Sequence, residues 1–170
     1  VIYDLSMEAT KALESAREKV RMFLGAQKTE EIIFTKSATE SLNLVAQSYG
    51  MSFLNPGDGI VLAVSEHHSN LVPWQRVAKA RQAELSYLYT DRSGRIPPEE
   101  IQKKITGRTR LVAVAHASNV TGAINPLEQI LERAHEVGAV VVVDGTQSVP
   151  HMAVDVSALD ADFYAFSAHK

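Results

Sequence analysis

The sequence predicts an open, mostly parallel α/β sheet with helices on both faces. Two observations carry that prediction. Apolar spacing switches repeatedly between the helical and the strand period along the chain, and Ala139 to Val143 is an unbroken apolar, β-branched run of the kind that lies covered on both faces. A chain of 170 residues, 45% hydrophobic, hides about 70% of its unfolded surface on folding, enough for a core without disulfides or structural metal.

The elements follow in order. Ser6 is a plausible N-cap for a first helix whose Ala9, Ala12, Leu13, Ala16, Val20, Phe23 and Leu24 share a face, with Gly25 as its stop. Glu31 to Lys36 reads as a strand. A second helix starts near Ala38, carries Leu42, Val45, Ala46 and Tyr49 at helical spacing, and is closed by the loop Asn55-Pro56-Gly57-Asp58-Gly59. Strand Gly59 to Val64, helix Leu71 to Arg81 and strand Glu84 to Tyr89 come next. Asp91 to Gly94 makes a turn, Pro97-Pro98-Glu99-Glu100 opens a short helix, and Thr109 to Ala115 is a strand. Asn125 reads as the N-cap of a helix with Pro126 in its first turn, Leu127, Ile130, Leu131, Ala134 and Val137 on one face, and Gly138 as stop. Ala139 to Val143 and Asp162 to Phe166 complete six predicted strands, with no linker dividing the chain into two domains.

Composition narrows the function classes. Seventeen basic against twenty acidic residues leave a net charge of -3, which gives no electrostatic footprint for nucleic acid or an anionic membrane. No cysteine is present, so disulfides and thiolate-bound zinc or iron-sulfur clusters within these residues are excluded. No apolar stretch reaches the about 20 residues that span a bilayer, and Val1-Ile2-Tyr3-Asp4 lacks the basic start of a signal peptide. The expected address is cytoplasmic.

Ligands of such sheets bind at the carboxyl ends of the strands, which directs attention to five junctions. In Thr35-Lys36-Ser37-Ala38-Thr39-Glu40, Ser37 and Glu40 form a capping box that leaves amides near Ala38 and Thr39, and the Thr39 hydroxyl, facing an anion such as phosphate. An ordinary helix cap uses the same residues. Ser65-Glu66-His67-His68-Ser69-Asn70 brings two histidines to the edge, one of which can stack on an aromatic ligand or move protons; a solvent-facing pair is the plainer reading, and the spacing is poor for a metal, so no metal ligands are assigned. In His116-Ala117-Ser118-Asn119, Asn119 offers a donor and an acceptor, while His116 and Ser118 serve equally well to satisfy the turn.

Asp144, in Val143-Asp144-Gly145-Thr146-Gln147, follows four apolar residues and needs a cation or strong donors to offset desolvation. A protonated ring nitrogen and a magnesium ion are the two candidate partners. The sequence contains neither a G-x-x-x-x-G-K-[ST] nor a G-x-G-x-x-G loop, which weakens the magnesium reading. Lys170, after Phe166-Ser167-Ala168-His169, is placed to form a Schiff base with an aldehyde cofactor, although a surface lysine is the commoner case. Together, a phosphate cradle, a stacking histidine, Asn119, Asp144, Gln147 and Lys170 make the parts list for pyridoxal 5'-phosphate (PLP).

These motifs resemble the class V, fold-type I PLP enzymes, and among them the SUF-type (group II) cysteine desulfurases and selenocysteine lyases. The resemblance runs from Leu5-Ser6-Met7-Glu8-Ala9-Thr10 through Thr39-Glu40-Ser41-Leu42, Glu66-His67-His68-Ser69-Asn70, Val72-Pro73-Trp74, Ser118-Asn119-Val120 and Val143-Asp144-Gly145-Thr146-Gln147 to Ser167-Ala168-His169-Lys170. It implies a PLP-dependent transferase-like large domain. It also implies that residues 1–170 are a fragment lacking an amino-terminal arm, a seventh strand and the small carboxyl-terminal domain.

By the same resemblance Lys170 binds PLP and later carries the proton, Asp144 pairs with the pyridinium N–H, and His67 stacks on the ring. Gln147 and Asn119 address the phenolic oxygen, Asn119 lying also near the substrate carboxylate. Thr39, Ser167 and His169, with backbone amides after Ser37, hold the phosphate. Ala38 replaces a hydroxyl residue of other members, so one phosphate contact is expected to be missing; Ser37, in place of Gly or Asn, changes little. The implied reaction takes sulfur from L-cysteine, or selenium from L-selenocysteine, gives alanine and an enzyme persulfide, and serves iron-sulfur cluster assembly or other sulfur transfer through an acceptor protein. The attacking cysteine and the arginine for the substrate carboxylate are expected beyond Lys170, and the full protein is expected to be a homodimer. Two other readings share these residues: another class V enzyme such as a cystine lyase or an epimerase-like member, and a non-catalytic α/β binding module.

Overall fold

The computed structural model describes residues 3–170; Val1 and Ile2 of the predicted amino end lie outside them. The chain forms two compact units, residues 3–34 with Val154–Asp160, and Thr35–Ala153 with Ala161–Lys170.

In the first unit, helix α1 spans Asp4–Leu24. Its N-cap is Tyr3 rather than the predicted Ser6, because the Ser6 and Met7 amides already bond to the Tyr3 carbonyl. Gly25 ends the helix as predicted, in the left-handed region at φ 68°. The predicted apolar face of α1 is only partly covered: Leu24 is buried, whereas Leu13 and Phe23 are exposed. A short helix occupies Val156–Leu159, with the Asp155 carboxylate accepting from the Ser157 and Ala158 amides.

The predicted strand Glu31 to Lys36 is absent. Thr29–Glu31 is a turn of 3-10 helix, and Ile33 and Phe34 are 68% and 45% exposed. The alternation that read as a strand has a local cause. Ile32 sinks inward alone, its carbonyl is taken by the Arg17 guanidinium, and that guanidinium lies 5.2 Å from the centre of the Phe34 ring. A side chain thus occupies the group that a neighbouring strand would need.

The second unit holds a parallel sheet of five strands among the described residues: β1 Gly59–Ala63, β2 Glu84–Leu88, β3 Thr109–Ala115, β4 Val140–Asp144 and β5 Phe163–Ala165, in the order β2-β1-β3-β4-β5. Each matches a predicted strand to within a residue or two at either end. The helices are α2 (Ala38–Val45), continued through a π turn at Ala46–Gly50 into α3 (Met51–Phe53), then α4 (Val72–Arg81), α5 (Pro98–Lys104) and α6 (Leu127–Glu136); the first unit's Val156–Leu159 is α7.

Right-handed crossovers decide the layers. The chain steps outward one way from β1 to β2 and the other way from β3 to β4 and β5, so the connecting helices fall on opposite faces. One core cluster joins Leu42 and Ala46 with Trp74, Val77 and Ala78 over Ile60, Leu62, Leu111, Ala113 and Val142. On the opposite face Val61, Val112, Val114, Val141 and Val143 are equally buried, and α5 packs beside α6. Strands covered this way on both sides read as continuous apolar runs.

Asn125 departs from its predicted role as helix cap. Its Nδ2 donates to the Ala115 carbonyl at 2.7 Å, satisfying the last residue of β3, and Pro126 takes the cap position of α6. Gly138 follows the helix in the left-handed region at φ 74°.

Candidate functional site

The strand order reverses between β1 and β3, and in open α/β sheets the ligand crevice lies at the carboxyl ends of the strands beside such a reversal. A cleft of about 210 Å³ opens there. The turn before α2 contributes Ser37, Ala38 and Thr39; the turn after β1 contributes His67 and Ser69; the end of β3 and its loop contribute Ala115, Ala117 and Asn119. From beyond β4 come Asp144, Thr146 and Gln147, and from beyond β5 come Ser167, His169 and Lys170. Thr39, Ala38, His67, Asn119, Asp144, Gln147, Ser167, His169 and Lys170, assigned to the cofactor from the sequence, all border this one cleft, whereas His68, His116 and Ser118 do not.

The turn at α2 shows how the sequence builds it. The Ser37 hydroxyl accepts from the Glu40 amide at 3.1 Å, and the Glu40 carboxylate accepts from the Lys36 amide, so the box closes one residue earlier than a reciprocal Ser37–Glu40 pair. The Ala38 amide is not free as expected: it donates to the Ser167 hydroxyl at 3.1 Å, tying the α2 turn to the segment that carries Lys170. That hydroxyl, accepting there, keeps its own proton for another acceptor.

His67 is exposed at the cleft, and its orientation is set by Ser69, whose hydroxyl and amide both meet Nδ1, at 2.7 and 3.2 Å. His68 stands at a near right angle to it, with ring centres 6.3 Å apart, and does not border the cleft. Asp144 is 6% exposed, and its Oδ1 accepts from the Thr146 amide at 2.9 Å. Among the described residues no cation pairs with it, and its second oxygen has no hydrogen bond. The Thr146 hydroxyl is buried beside it, also without a partner.

Three features of this site went unread in the sequence. Behind Asp144, the Tyr164 hydroxyl bonds to Ser148 Oγ at 2.6 Å and to His116 Nδ1 at 2.8 Å. Burial pushes the Tyr164 phenol up to about 12, with the Ser148 bond lowering it and the Asp144 charge adding to the rise, and burial lowers the His116 imidazole. Both groups therefore stay neutral at physiological pH. Tyr164 passes so close to Gly145 that a Cβ at residue 145 would sit 2.0 Å from its ring carbon Cε1. The third is Glu66, quoted only as part of a motif, whose buried carboxyl lies beneath the His67 turn and bonds to the Ala115 amide. Burial raises it to about 8, the Ala115 amide and Asn70 bonds lower it, and Asp144 adds a further rise. A glutamate in the turn after β1 carries no sequence signal for burial; only the tertiary structure closes over it.

The sequence profile of the family "Aminotransferase class-V" matches residues 1–170. A probable cysteine desulfurase of Halalkalibacterium halodurans is 52% identical over 99% of the chain, and the chain covers 42% of that relative. The apo structure of a cysteine desulfurase from Thermococcus onnurineus NA1 superposes with a TM-score of 0.94 at 45% identity, over all of this chain and 42% of the other. A structure described as SspA in complex with cysteine superposes with a TM-score of 0.90 at 27% identity, over 99% of this chain and 48% of that one. The chain thus spans about two fifths of the length of the curated relatives it matches. With the family profile matched from end to end and the same fold in its solved relatives, the chain belongs to the aminotransferase class-V family.

Proposed function

We propose that the cleft binds pyridoxal 5'-phosphate covalently through Lys170, and that the full-length protein is a cysteine desulfurase. The observation that carries this reading is the meeting of a lysine, a helix-start anion cradle and a buried, cation-free carboxylate around one cleft. The donor set fits the cofactor: Asp144 keeps one oxygen for a ring N–H, and the Thr146 hydroxyl is buried without a partner. The names of the relatives support cysteine as the substrate, as does the solved neighbour described in complex with cysteine.

Each residue then has a task. Asp144, desolvated and without a cation among the described residues, would recover that cost by holding the ring nitrogen protonated. PLP, when bound, supplies a sink for the electron pair left at the substrate Cα. His67, held at Nδ1 by Ser69, would present its ring face to the cofactor. Gln147 and Asn119 would address the phenolic oxygen, with Asn119 also near the substrate carboxylate. Thr39, the Ser167 hydroxyl and His169 would hold the phosphate, while the Ala38 amide, committed to Ser167, orients that hydroxyl. Lys170 Nζ would move the Cα proton.

In the overall reaction the substrate C–S bond breaks, an enzyme thiol gains the sulfur as a persulfide, and alanine leaves. These 170 residues contain no cysteine; we assign the thiol to the part of the protein that the longer relatives possess. A homodimer, a sulfur-acceptor protein and a cytoplasmic address belong to the same proposal.

The test uses the full-length protein. Borohydride reduction of the PLP-loaded enzyme should fix the label on Lys170, as read by peptide mass spectrometry, and Lys170→Ala should abolish it. Alanine release from L-cysteine should fall by about 10²–10⁴ in that variant. A wild-type protein that takes up no PLP would overturn the reading. For Asp144→Asn, whose amide oxygen can still accept from Thr146, a folded protein with kcat lowered by about 10²–10³ is expected.

A further inference from the structure

The carboxyl of Glu66 has both oxygens engaged by fixed donors. Oε1 accepts from the Ala115 amide at 2.7 Å, and Oε2 accepts from Asn70 Nδ2 at 2.6 Å. The Asn70 amide cannot turn over, because its Oδ1 accepts from the Trp74 indole N–H at 3.1 Å, and both side chains are fully buried. The pattern runs one way only, from indole to amide to carboxyl and from strand amide to carboxyl.

Both of its partners matter to the cleft. Asn70 closes the 3-10 turn His68–Asn70, and its backbone amide bonds to the His67 carbonyl at 2.9 Å. Ala115 is the register partner of Asp144 in the β3–β4 ladder and itself borders the cleft. The Glu66 side chain therefore ties the turn that carries His67 to the strand end beside Asp144.

We propose that Glu66 is a positioning residue: its carboxyl clamps the His67 turn to the end of β3 and so fixes the His67 ring relative to Asp144. The proposal rests on the cofactor reading for its consequence, but the clamp itself is a property of the protein alone. It makes a chemical demand for an accepting oxygen toward each donor, which the carboxyl meets whether charged or neutral because both of its oxygens keep a lone pair. A glutamine at this place would turn an NH₂ group toward the Ala115 amide or toward Asn70 Nδ2, donor against donor.

The demand gives a rescue experiment in the full-length protein. Glu66→Gln alone should shift the His67 ring resonances in the NMR spectrum of the apo protein and weaken PLP binding by about ten- to a hundredfold. The double variant E66Q/N70D moves the carboxyl to position 70, where it accepts both from the new side-chain amide and from Trp74, while the amide oxygen at 66 still accepts from Ala115. It should return the His67 resonances and PLP affinity to wild-type values. Unchanged His67 resonances in Glu66→Gln, or a double variant that restores neither readout, would overturn the clamp. Should Glu66→Gln fail to fold, the double variant is read alone: wild-type His67 resonances support the clamp, and shifted ones overturn it. Failure of the wild-type protein to bind PLP would instead strike the cofactor reading, with the apo resonances still judging the clamp.

Discussion

The space beside Gly145 shows how narrowly single atoms hold this site. Tyr164 fills it, and its hydroxyl bonds on both sides to His116 and Ser148. Gly145→Ala would therefore force the ring away and break those bonds; a loss of about 1–3 kcal/mol is expected in urea unfolding of the full-length protein. Glu66 makes a second prediction at this scale. Its folded-state pKa of about 8 stands above the ordinary carboxylate value of 4.5. The folded state thus holds a proton that the unfolded chain releases, so the stability linked to Glu66 is full below about 4.5 and is lost as pH rises toward 8. The charged neighbour that opposes ionisation is Asp144. Glu66→Gln should flatten the decline in unfolding free energy across that range, a change of a few kcal/mol at most; an equal slope in both proteins would refute the raised value. Neither residue was marked in the sequence, since each owes its state to groups that only the folded sheet edge assembles. Lys170, Asp144 and Asn119 were legible because strand ends are ligand positions in any such sheet.

Helices and strands were legible to the degree that their apolar pattern had a single cause. The run Ala139 to Val143 is buried on two faces and could hardly be anything but a central strand; β4 lies within one residue of it. Glu31 to Lys36 also carried apolar, strand-forming residues, but for a different cause, a lone buried Ile32 and an arginine stacked on Phe34. Caps failed where a side chain had a better partner: Asn125 turned inward to the Ala115 carbonyl rather than outward to its own helix. Gly25 was read correctly because its position demands a left-handed backbone. There a Cβ would also lie 2.7 Å from the Asp155 carboxylate. Gly25→Ala should cost about 1–2 kcal/mol and raise hydrogen exchange at the end of α1 and in α7.

For the whole molecule, the reversal between β1 and β3 is what turns five separate loops into one cleft. A ligand that bridges them binds the folded state alone and stabilises it by mass action. At about a hundred times its Kd, PLP should raise the stability of the full-length protein by about 2.7 kcal/mol, read as a higher Tm, and the gain should shrink in Lys170→Ala. Among the described residues no helix is long and apolar enough to cross a membrane.

The same spread of the cleft along the chain carries a consequence for biosynthesis. As the protein leaves the ribosome, Ser37–Thr39 emerge first among the cleft residues and Lys170 last. The cradle at α2 and the carboxylate of Asp144 are both made before the amine that would fasten the cofactor. A nascent chain can therefore not seat Ser167 against the Ala38 amide until β5 has been added beside β4, so the α2 turn is fastened to the opposite end of the cleft only after the strands between them are made.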